Sequence, residues 1–490
     1  MLTYDLDENS SVSLYEQLYK YIKQDILSGE LPENTKLPSK RSFASQMSIS
    51  VITVENAYNQ LLSEGFIYSL PRKGFYVSEI GDYYADPRYV LHNSKQQDSG
   101  FQTSLQHDFS LHNSTNNIAN NLISNFTKNL TTNLNTTSDF IDFTSNATDP
   151  NTFPFATWAK ITRRILSDDQ ELLLTNPPSN GLIELRSSIS KYLHDFRGIN
   201  VNPNNIVIGA GTETIYSLLI QLLGHDKIYG VEDPGYDKIA LTINSNNVKC
   251  IRIPLDDSGV IPSLLEANKV NIIHTTPSHH FPTGITMPIK RRYELLNGAN
   301  KADDRYIIED DYDSEFRLSG RPIPSLYSID TNEKVIYMNT FTKSLASTIR
   351  ISYMVLPDHL ANEYHQKLSF YSCTVPNYEQ LALAKFISEG FYEKHINRMR
   401  NISRKKRDLI LNSIKKGPLA RISDISEEQS GLHFILKLEL QKNKNEFHMA
   451  CEQNNIRITS VSDGAYMINY SSIPLDKIED AVQRLTKASL

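Results

Sequence analysis

The segment Thr340-Phe341-Thr342-Lys343 sets a lysine among hydroxyl side chains, and Arg350 follows it seven residues later. Upstream, the apolar run Tyr306-Ile307-Ile308 leads directly into Glu309-Asp310-Asp311-Tyr312. Such a short run predicts a buried strand, here one that ends in acidic residues. A lone lysine is most often a solvated surface charge, and adjacent aspartates are most often solvated or cap a helix. The lysine motif, Arg350 and the acidic strand end therefore indicate a function together that none of them indicates alone.

The combination indicates a site for pyridoxal 5′-phosphate (PLP). The Lys343 amine can form a Schiff base with the PLP aldehyde, and a strand-end carboxylate can keep the pyridine nitrogen protonated. Arg350 and the hydroxyls of Thr340 and Thr342 can hold the phosphate dianion by charge-assisted hydrogen bonds. We therefore expect Lys343 to be the Schiff-base lysine of a PLP site.

A second segment supports an anion site. Ile206-Val207-Ile208-Gly209-Ala210-Gly211-Thr212-Glu213 reads as a strand, a glycine turn and the start of a helix. Such a turn points free backbone N–H groups of the first helical turn at an anion. Gly211, Thr212 and Glu213 are therefore candidate cofactor-binding residues, although an isolated turn of this type is more often purely structural.

The order and spacing of these segments resemble fold-type I aminotransferases. The resemblance implies that Asp310 meets the pyridine nitrogen and that Tyr312 hydrogen-bonds the ring 3′-oxygen. Tyr236, in Val231-Glu232-Asp233-Pro234-Gly235-Tyr236, occupies the place where the family stacks an aromatic ring on the cofactor.

A further segment, Thr276-Pro277-Ser278-His279-His280-Phe281-Pro282-Thr283-Gly284, matches the Pro-Thr-Gly turn of the same family. His279 within it is a candidate cofactor-binding residue, whereas Phe281 stands where many catalytic members have asparagine. From 139 onward the pattern alternates strands and helices, as a mostly parallel, buried sheet does. We expect an α/β fold-type I PLP domain over 139–490, and the resemblance implies a smaller C-terminal α+β subdomain.

The composition of the chain excludes several other classes of protein. The 490 residues suffice for two or three domains, and the 39% that are hydrophobic form no long uncharged run, which excludes a membrane span. The acidic N-terminus lacks a signal-peptide core, and three scattered cysteines fit reduced thiols without a disulfide framework or a metal site. We therefore expect a cytosolic protein. The net charge of −6 means that any DNA contact requires a local basic patch.

Residues 11–78 have the pattern of a winged helix-turn-helix. Apolar side chains at helical spacing predict a first helix. Ser39 and Ser50 are predicted N-caps of two further helices, and Gly65 is predicted to end the third. Two short strands then flank the basic turn Pro71-Arg72-Lys73-Gly74.

This domain closely resembles the GntR family of bacterial transcription regulators, through Leu37-Pro38-Ser39-Lys40-Arg41 and Lys73-Gly74-Phe75-Tyr76-Val77. The resemblance implies that the helix from about Ser50 enters the major groove and that the wing tip approaches the minor groove of double-stranded DNA. The expected DNA-binding residues are Ser39, Lys40, Arg41, Ser50, Thr53, Asn56, Arg72 and Lys73.

Val51 departs from the GntR pattern, because members commonly have arginine directly after the serine that opens the recognition helix. Either Val51 contacts a thymine methyl group, so that base readout depends less on arginine, or DNA affinity per subunit is modest. We favour the first interpretation.

The predicted domains, 1–79 and 139–490, are joined by a segment over 80–138 that is rich in Asn, Ser, Thr, Gln and Asp. We expect its first half to be a flexible tether. Apolar residues recur at roughly helical spacing over 118–130. The second half is therefore expected to hold a helix that docks on the large domain or on a dimer partner.

This order of domains resembles the MocR subfamily of GntR regulators over nearly the whole chain. A specific match is Ile351-Ser352-Tyr353-Met354-Val355-Leu356-Pro357. The resemblance implies a cytosolic head-to-tail homodimer in which PLP, alone or with a small amine or amino acid, controls binding to operator DNA. It implies a regulator rather than an enzyme, with at most residual half-transamination.

The segment Tyr466-Met467-Ile468-Asn469-Tyr470-Ser471-Ser472 aligns with the carboxylate-binding arginine of aminotransferases and of GABA-responsive MocR regulators, yet contains no arginine. The second basic residue of the GABA-responsive pattern falls at Lys238. The missing arginine weakens amino-acid capture and favours regulators of vitamin B6 synthesis, which respond to PLP, over amino-acid sensors. Two alternatives remain: a working aminotransferase that uses Arg317 or Arg321, and a DNA-binding scaffold whose large domain has lost its cofactor.

Overall fold

The computed structural model describes residues 4, 6–7, 13–47, 49–70, 73–78, 140–145, 147–149, 151–318, 324–426 and 432–490. The predicted tether, the predicted helix over 118–130, the wing residue Arg72 and the loop residue Arg321 lie outside these ranges. None of the helices described is long and apolar enough to cross a membrane.

The N-terminal domain is the predicted winged helix-turn-helix. Helices α1 (Leu14–Ser28), α2 (Lys40–Met47) and α3 (Val51–Glu64) precede an antiparallel pair, β1 (Ile67–Leu70) and β2 (Gly74–Val77). The Oγ atoms of Ser39 and Ser50 accept hydrogen bonds from the backbone N–H groups of Ser42 and Thr53, at 3.2 and 3.0 Å. Gly65 ends α3 in the left-handed conformation, with φ +77°.

The large domain is built on one sheet, and its eight strands are β4 (Ile206–Gly209), β5 (Tyr229–Asp233), β6 (Cys250–Asp256), β7 (Gly259–Val260), β8 (Ile272–Thr275), β9 (Tyr306–Asp310), β10 (Val335–Thr340) and β11 (Ser352–Val355). Their spatial order is β4-β11-β10-β9-β8-β5-β6-β7. Strands β6, β5, β8, β9 and β10 pair in parallel, whereas β11 runs antiparallel to both neighbours and β7 antiparallel to β6. The predicted mostly parallel sheet is confirmed.

Helices cover both faces of this sheet: α4 (Phe155–Asp168), α5 (Gln170–Leu174), α6 (Ile183–Arg197), α7 (Thr212–Leu223), α8 (Asp237–Ser245), α9 (Pro262–Ala267), α10 (Ile289–Asn300), α11 (Leu326–Ile329), α12 (Asp358–Lys367) and α13 (Asn377–Ser388). Ile206 and Ile208 of β4 join the apolar cluster with α4, α6 and α13, whereas Val207 joins the cluster with α7, α8 and α12. Successive side chains of a strand point to opposite faces. Burial on both faces explains why β4 is apolar along its whole length.

The C-terminal subdomain contains α14 (Phe391–Lys416), β12 (Ser423–Ser426), β13 (His433–Leu438), α15 (Lys444–Gln453), β14 (Ile456–Arg457), β15 (Thr459–Ser462), β16 (Ala465–Asn469) and α16 (Ile478–Ser489). Four of its strands form an antiparallel sheet in the order β12-β13-β16-β15. Strand β3 (Ile141–Asp142), at the start of the large domain, pairs in parallel with β14. The expected α+β subdomain is confirmed.

The winged helix packs on the large domain through the C-terminal end of α3. Glu64, which is 2% exposed, accepts a hydrogen bond from the Tyr19 hydroxyl at 2.7 Å. A Cβ atom on the adjacent Gly65 would lie 3.2 Å from the Ile289 backbone nitrogen and 3.3 Å from Pro288 Cβ. The C-terminal end of α3 therefore faces the large domain, whereas Ser50 and Val51 at its N-terminal end are exposed.

Candidate functional site

The predicted cofactor residues follow the carboxyl ends of neighbouring strands. Strand β9 ends at Asp310 and β10 at Thr340, while β4 ends just before Gly211. Because parallel strands end at the same edge of a sheet, these residues converge there. The predicted residues that line one pocket at this edge are Thr212, Glu213, Tyr236, Asp310, Tyr312, Thr340, Thr342, Lys343 and Arg350.

Lys343 presents an amine suited to attack an aldehyde. The side chain is half-buried, and desolvation in the pocket lowers the pKa of its amine to about 8. The negative charge of Asp313 acts in the opposite direction and raises the pKa. A lysine with a lowered pKa is more often uncharged at neutral pH and is therefore a better nucleophile.

Of the three consecutive acids at the end of β9, Asp310 is the one that lines the pocket. Its carboxylate lies 3.5 Å from Nε2 of the buried His274 on β8. Glu309 points away and accepts hydrogen bonds from two backbone N–H groups at the start of α11, both at 2.9 Å. Asp311 forms a buried ion pair with Arg197 at 2.9 Å. The strand alternation thus leaves Asp310 to meet a ligand.

The N-terminus of α7 has the geometry that a bound anion needs. Gly211 precedes the helix with φ +94°, a conformation that favours glycine, and a Cβ atom there would displace the Arg350 guanidinium from its present position. Arg350 Nη2 lies 2.7 Å from the Glu213 carboxylate, and both side chains are half exposed. The hydroxyls of Thr340 and Thr342 are 2.8 Å apart at the same edge.

Aromatic rings form another wall of the pocket. Phe281 meets Tyr236 edge to face, with ring centroids 5.8 Å apart, and also packs against Tyr312 at 6.5 Å. His279 does not line the pocket. It lies beside the Tyr312 ring, and its Nδ1 is 2.7 Å from the Asp313 carboxylate. His279 is therefore placed behind the residues that would touch the cofactor.

These residues fit PLP. Lys343 supplies an amine of lowered pKa and Asp310 a carboxylate, while Arg350 and the N-terminus of α7 form a cradle that Gly211 keeps open. The cradle combines a permanent cation with backbone N–H donors, which are the groups that bind a phosphate dianion. Within the described ranges, no group of three or more His, Cys, Asp or Glu side chains is arranged to hold a metal ion.

The predicted DNA-binding residues that the structure describes differ in how free their side chains are. Arg41, Asn56 and Lys73 are exposed. Lys40 pairs with Glu55 at 2.8 Å and lies over the Phe75 ring.

Two hydroxyls at the start of α3 are engaged within the domain. The Ser50 and Thr53 hydroxyls bond to each other at 2.8 Å while Ser50 caps α3. The two hydroxyls therefore stabilise the start of α3, and a DNA phosphate that contacts them would share them with the helix.

The first turn of α3 also presents apolar side chains to solvent. Val51 is 43% exposed and Ile52 is 68% exposed. Exposed apolar groups at this end of a recognition helix can contact thymine methyl groups in the major groove. The position of Val51 is compatible with the expected readout, and Ile52 is a second candidate that the sequence comparison with GntR members did not single out.

Both domains match known families. Residues 14–77 match the family described as bacterial regulatory proteins, gntR family, and residues 138–485 match aminotransferase class I and II. The HTH-type transcriptional regulator YdeL of Bacillus subtilis, itself named as uncharacterized, is 36% identical over 93% of this chain and 91% of its own length. The chain belongs to the MocR-type regulators of the GntR family.

Two other similarities bear on the large domain of this MocR-type regulator. The pyridoxine biosynthesis regulator PdxR of Corynebacterium glutamicum is 26% identical over 88% of this chain and 84% of its own. The structure of kynurenine aminotransferase from Pyrococcus horikoshii superposes with a TM-score of 0.64 and 25% identity, covering 75% of this chain and 93% of that chain. The aminotransferase fold of the large domain is therefore shown.

Several buried polar residues of the MocR-type pocket lie outside the motifs that predicted the site. Glu232 accepts hydrogen bonds from the Thr275 hydroxyl at 2.6 Å and from the Thr276 backbone at 3.0 Å, and it lines the pocket with His274. These residues stand at the ends of β5 and β8, so their position beside a predicted turn was a usable signal. His433 lies on β13, and no sequence pattern connected it with Lys343.

Proposed function

We propose that this MocR-type regulator holds PLP at Lys343 and that PLP, alone or joined with a small amine, controls its binding to operator DNA. The pocket at the carboxyl edge of the sheet carries the proposal, because it gathers an amine of lowered pKa, a strand-end carboxylate and a phosphate cradle. The winged helix supplies the DNA-binding output. Vitamin B6 metabolism is the proposed regulatory context, and an amino-acid-sensing regulator of another operon is the alternative.

When bound, PLP supplies an aldehyde that reacts with amines. Lys343 would anchor it through Nζ, and Asp310, with His274 beside it, would hold a proton on the pyridine nitrogen. Arg350 and the hydroxyls of Thr340 and Thr342 would fix the phosphate. A ligand can change DNA binding only if it binds two conformations of the regulator with different affinity.

We propose that the chain does not complete transamination. Arg350 is the only arginine that lines the pocket in the part of the chain the structure describes. Arg317, the alternative carboxylate binder, is outside that lining; burial lowers its pKa, and the charge of Glu64 in the winged helix opposes the shift. Lys238 lines the pocket and offers one cation without the bidentate geometry of arginine. The similarity to PdxR supports the vitamin B6 context.

The decisive experiment is a titration of the purified full chain with PLP, followed by visible absorption and by fluorescence anisotropy of DNA from its own upstream region. We expect a new absorption band and a change in DNA affinity with PLP. Lys343→Ala should abolish the band and the change in affinity, yet leave DNA binding without PLP unaltered. A wild-type protein that stays colourless with PLP, or whose DNA affinity ignores it, contradicts the proposal.

Two further measurements separate the alternatives. Rapid conversion of the PLP-loaded protein to the pyridoxamine form by common amino acids would establish an aminotransferase instead of a regulator.

We also propose that the protein is a cytosolic head-to-tail homodimer. The family supports the dimer, and the absence of a disulfide among the three cysteines supports the cytosolic location. Sedimentation velocity should give about twice the chain mass of 55.8 kDa, and a monomer at micromolar concentration would refute the dimer.

A further inference from the structure

A carboxylate of the chain itself lies at the proposed phosphate site. Glu213 is the second residue of α7, and its Oε2 lies 2.7 Å from Nη2 of Arg350. Both side chains are 46% exposed and both line the pocket, so the pair is open to a ligand there. In the described part of the chain, Glu213 is the only acid within ion-pair distance of Arg350.

The ion pair lies over the backbone at the start of α7. A Cβ atom on Gly211 would meet the Arg350 guanidinium first and would lie 3.1 Å from Glu213 Oε2. Thr212, the first residue of the helix, also lines the pocket. The Glu213 carboxylate therefore stands where the positive end of the helix dipole and the guanidinium of Arg350 together attract an anion.

The phosphate of PLP requires the same partners. A phosphate monoester carries about two negative charges at neutral pH, and the proposed function assigns it to Arg350 and the start of α7. Two anions at one guanidinium repel each other and share its charge. The backbone of Glu213 belongs to the proposed phosphate site, whereas its side chain opposes the phosphate.

The exposure of the pair limits the size of this effect. Water and salt screen an exposed ion pair, and breaking one changes an equilibrium constant by less than about sixfold. Repulsion between the carboxylate and the phosphate acts in the same direction. Together they should weaken PLP binding by about threefold to tenfold, which lowers the affinity without preventing binding.

We propose that Glu213 competes with the phosphate of PLP for Arg350 and thereby raises the PLP concentration at which the regulator responds. Weaker binding keeps PLP exchangeable, which a sensor of PLP concentration needs and a permanently loaded enzyme does not. This inference rests on the proposed function, since it requires PLP at Lys343. It concerns the branch of that function in which PLP alone is the signal.

Glu213→Gln tests the inference, because glutamine keeps the size of the side chain and removes its charge. The purified full chain is titrated with PLP, and visible absorption and the anisotropy of upstream DNA are followed. The PLP concentration at half of the full change should fall about threefold to tenfold in both readouts. Glu213→Ala removes the same charge and should shift both readouts in the same direction.

Glu184→Gln is the matched control. Glu184 is exposed and is also the second residue of a helix, α6, but it does not line the pocket. Its loss of charge changes the helix terminus in the same way, so its PLP titration should equal that of the wild type. A similar shift in Glu184→Gln and Glu213→Gln would attribute the effect to the helix terminus and overturn the inference.

Pyridoxal, which has the aldehyde but no phosphate, separates competition for Arg350 from a general change in the pocket. Glu213→Gln should leave the affinity for pyridoxal within about twofold of the wild type, because no dianion meets the carboxylate. Equal tightening for PLP and pyridoxal, or no tightening for PLP in either Glu213 variant, overturns the inference alone. A wild type that stays colourless with PLP rejects the proposed function itself, and the inference with it.

Discussion

The proposed cofactor pocket and the proposed DNA-binding residues of the winged helix were both predicted from polar side chains, but those side chains make different kinds of contact in the structure. In the pocket, side chains that are far apart in the sequence converge from the ends of different strands and line one cavity. In the winged helix, Lys40 is paired with Glu55, and Ser50 and Thr53 stabilise the start of α3. A polar residue that belongs to a local structural contact is therefore weaker evidence for a ligand than one that reaches the site through the fold.

The sharpest test of the pocket is Gly211→Ala, for which we expect the largest effect. The new Cβ would displace the Arg350 guanidinium from the cradle. Loss of a charge-assisted hydrogen bond to phosphate, at about 1.5–3 kcal/mol, should weaken PLP binding by about tenfold to a hundredfold. The PLP titration measures this. Gly198→Ala is the matched control, because Gly198 also has a positive φ, +67°, but has open space around it. Equal weakening in both variants would attribute the effect to backbone strain.

The comparison also predicts unequal roles for two adjacent basic residues of the winged helix. Arg41 is exposed, whereas Lys40 is held by Glu55. Arg41→Ala should reduce DNA affinity about tenfold at low salt and lower the slope of log affinity against log salt by about 0.9, the value for one lost phosphate contact. Lys40→Ala should lower affinity and slope by less. Fluorescence anisotropy over a salt series measures both, and a larger effect at Lys40 would show that its pair with Glu55 opens on DNA.

The sequence predicted site residues best where they stand at the end of a strand. The apolar run before Glu309-Asp310-Asp311 predicted β9, and alternation along the strand then assigns one acid to the pocket and another to the helix α11. His433 could not be predicted in this way. It lies ninety residues after Lys343 in another subdomain, and only the packing of that subdomain brings the two together.

In the winged helix, local sequence predicted the helix caps but not the contacts between helices. The caps at Ser39 and Ser50 follow from local sequence, and both are confirmed. The pairing of Lys40 with Glu55 depends on how α2 packs against α3, which local sequence does not specify. Local sequence also does not specify that Gly65, at the end of α3, lies close to Pro288 of the other domain.

The pH dependence of PLP association tests the state of the amine in the pocket. With the pKa of Lys343 at about 8, the uncharged fraction rises from about one tenth at pH 7 to one half at pH 8. The rate of PLP association, followed by stopped-flow absorbance, should therefore rise about fivefold over this interval. Asp313 raises the pKa of Lys343, so Asp313→Asn should move the midpoint to lower pH. If the association rate reaches half of its maximum only above pH 10, the pocket does not desolvate the amine.

The smallest expected effect concerns base readout by the apolar start of α3. If Val51 contacts a thymine methyl group, then replacing that thymine with uracil removes about one buried methyl, and affinity should fall by about fourfold or less. Val51→Ala should bind the two DNA fragments with nearly equal affinity, because the contact is already lost. Ile52→Ala is the informative comparison, since Ile52 is the more exposed of the two, at 68% against 43%. Loss of the methyl effect in Ile52→Ala alone would transfer the readout to Ile52. Its persistence in both variants would show that neither apolar side chain reads the sequence, leaving recognition to polar residues such as Asn56.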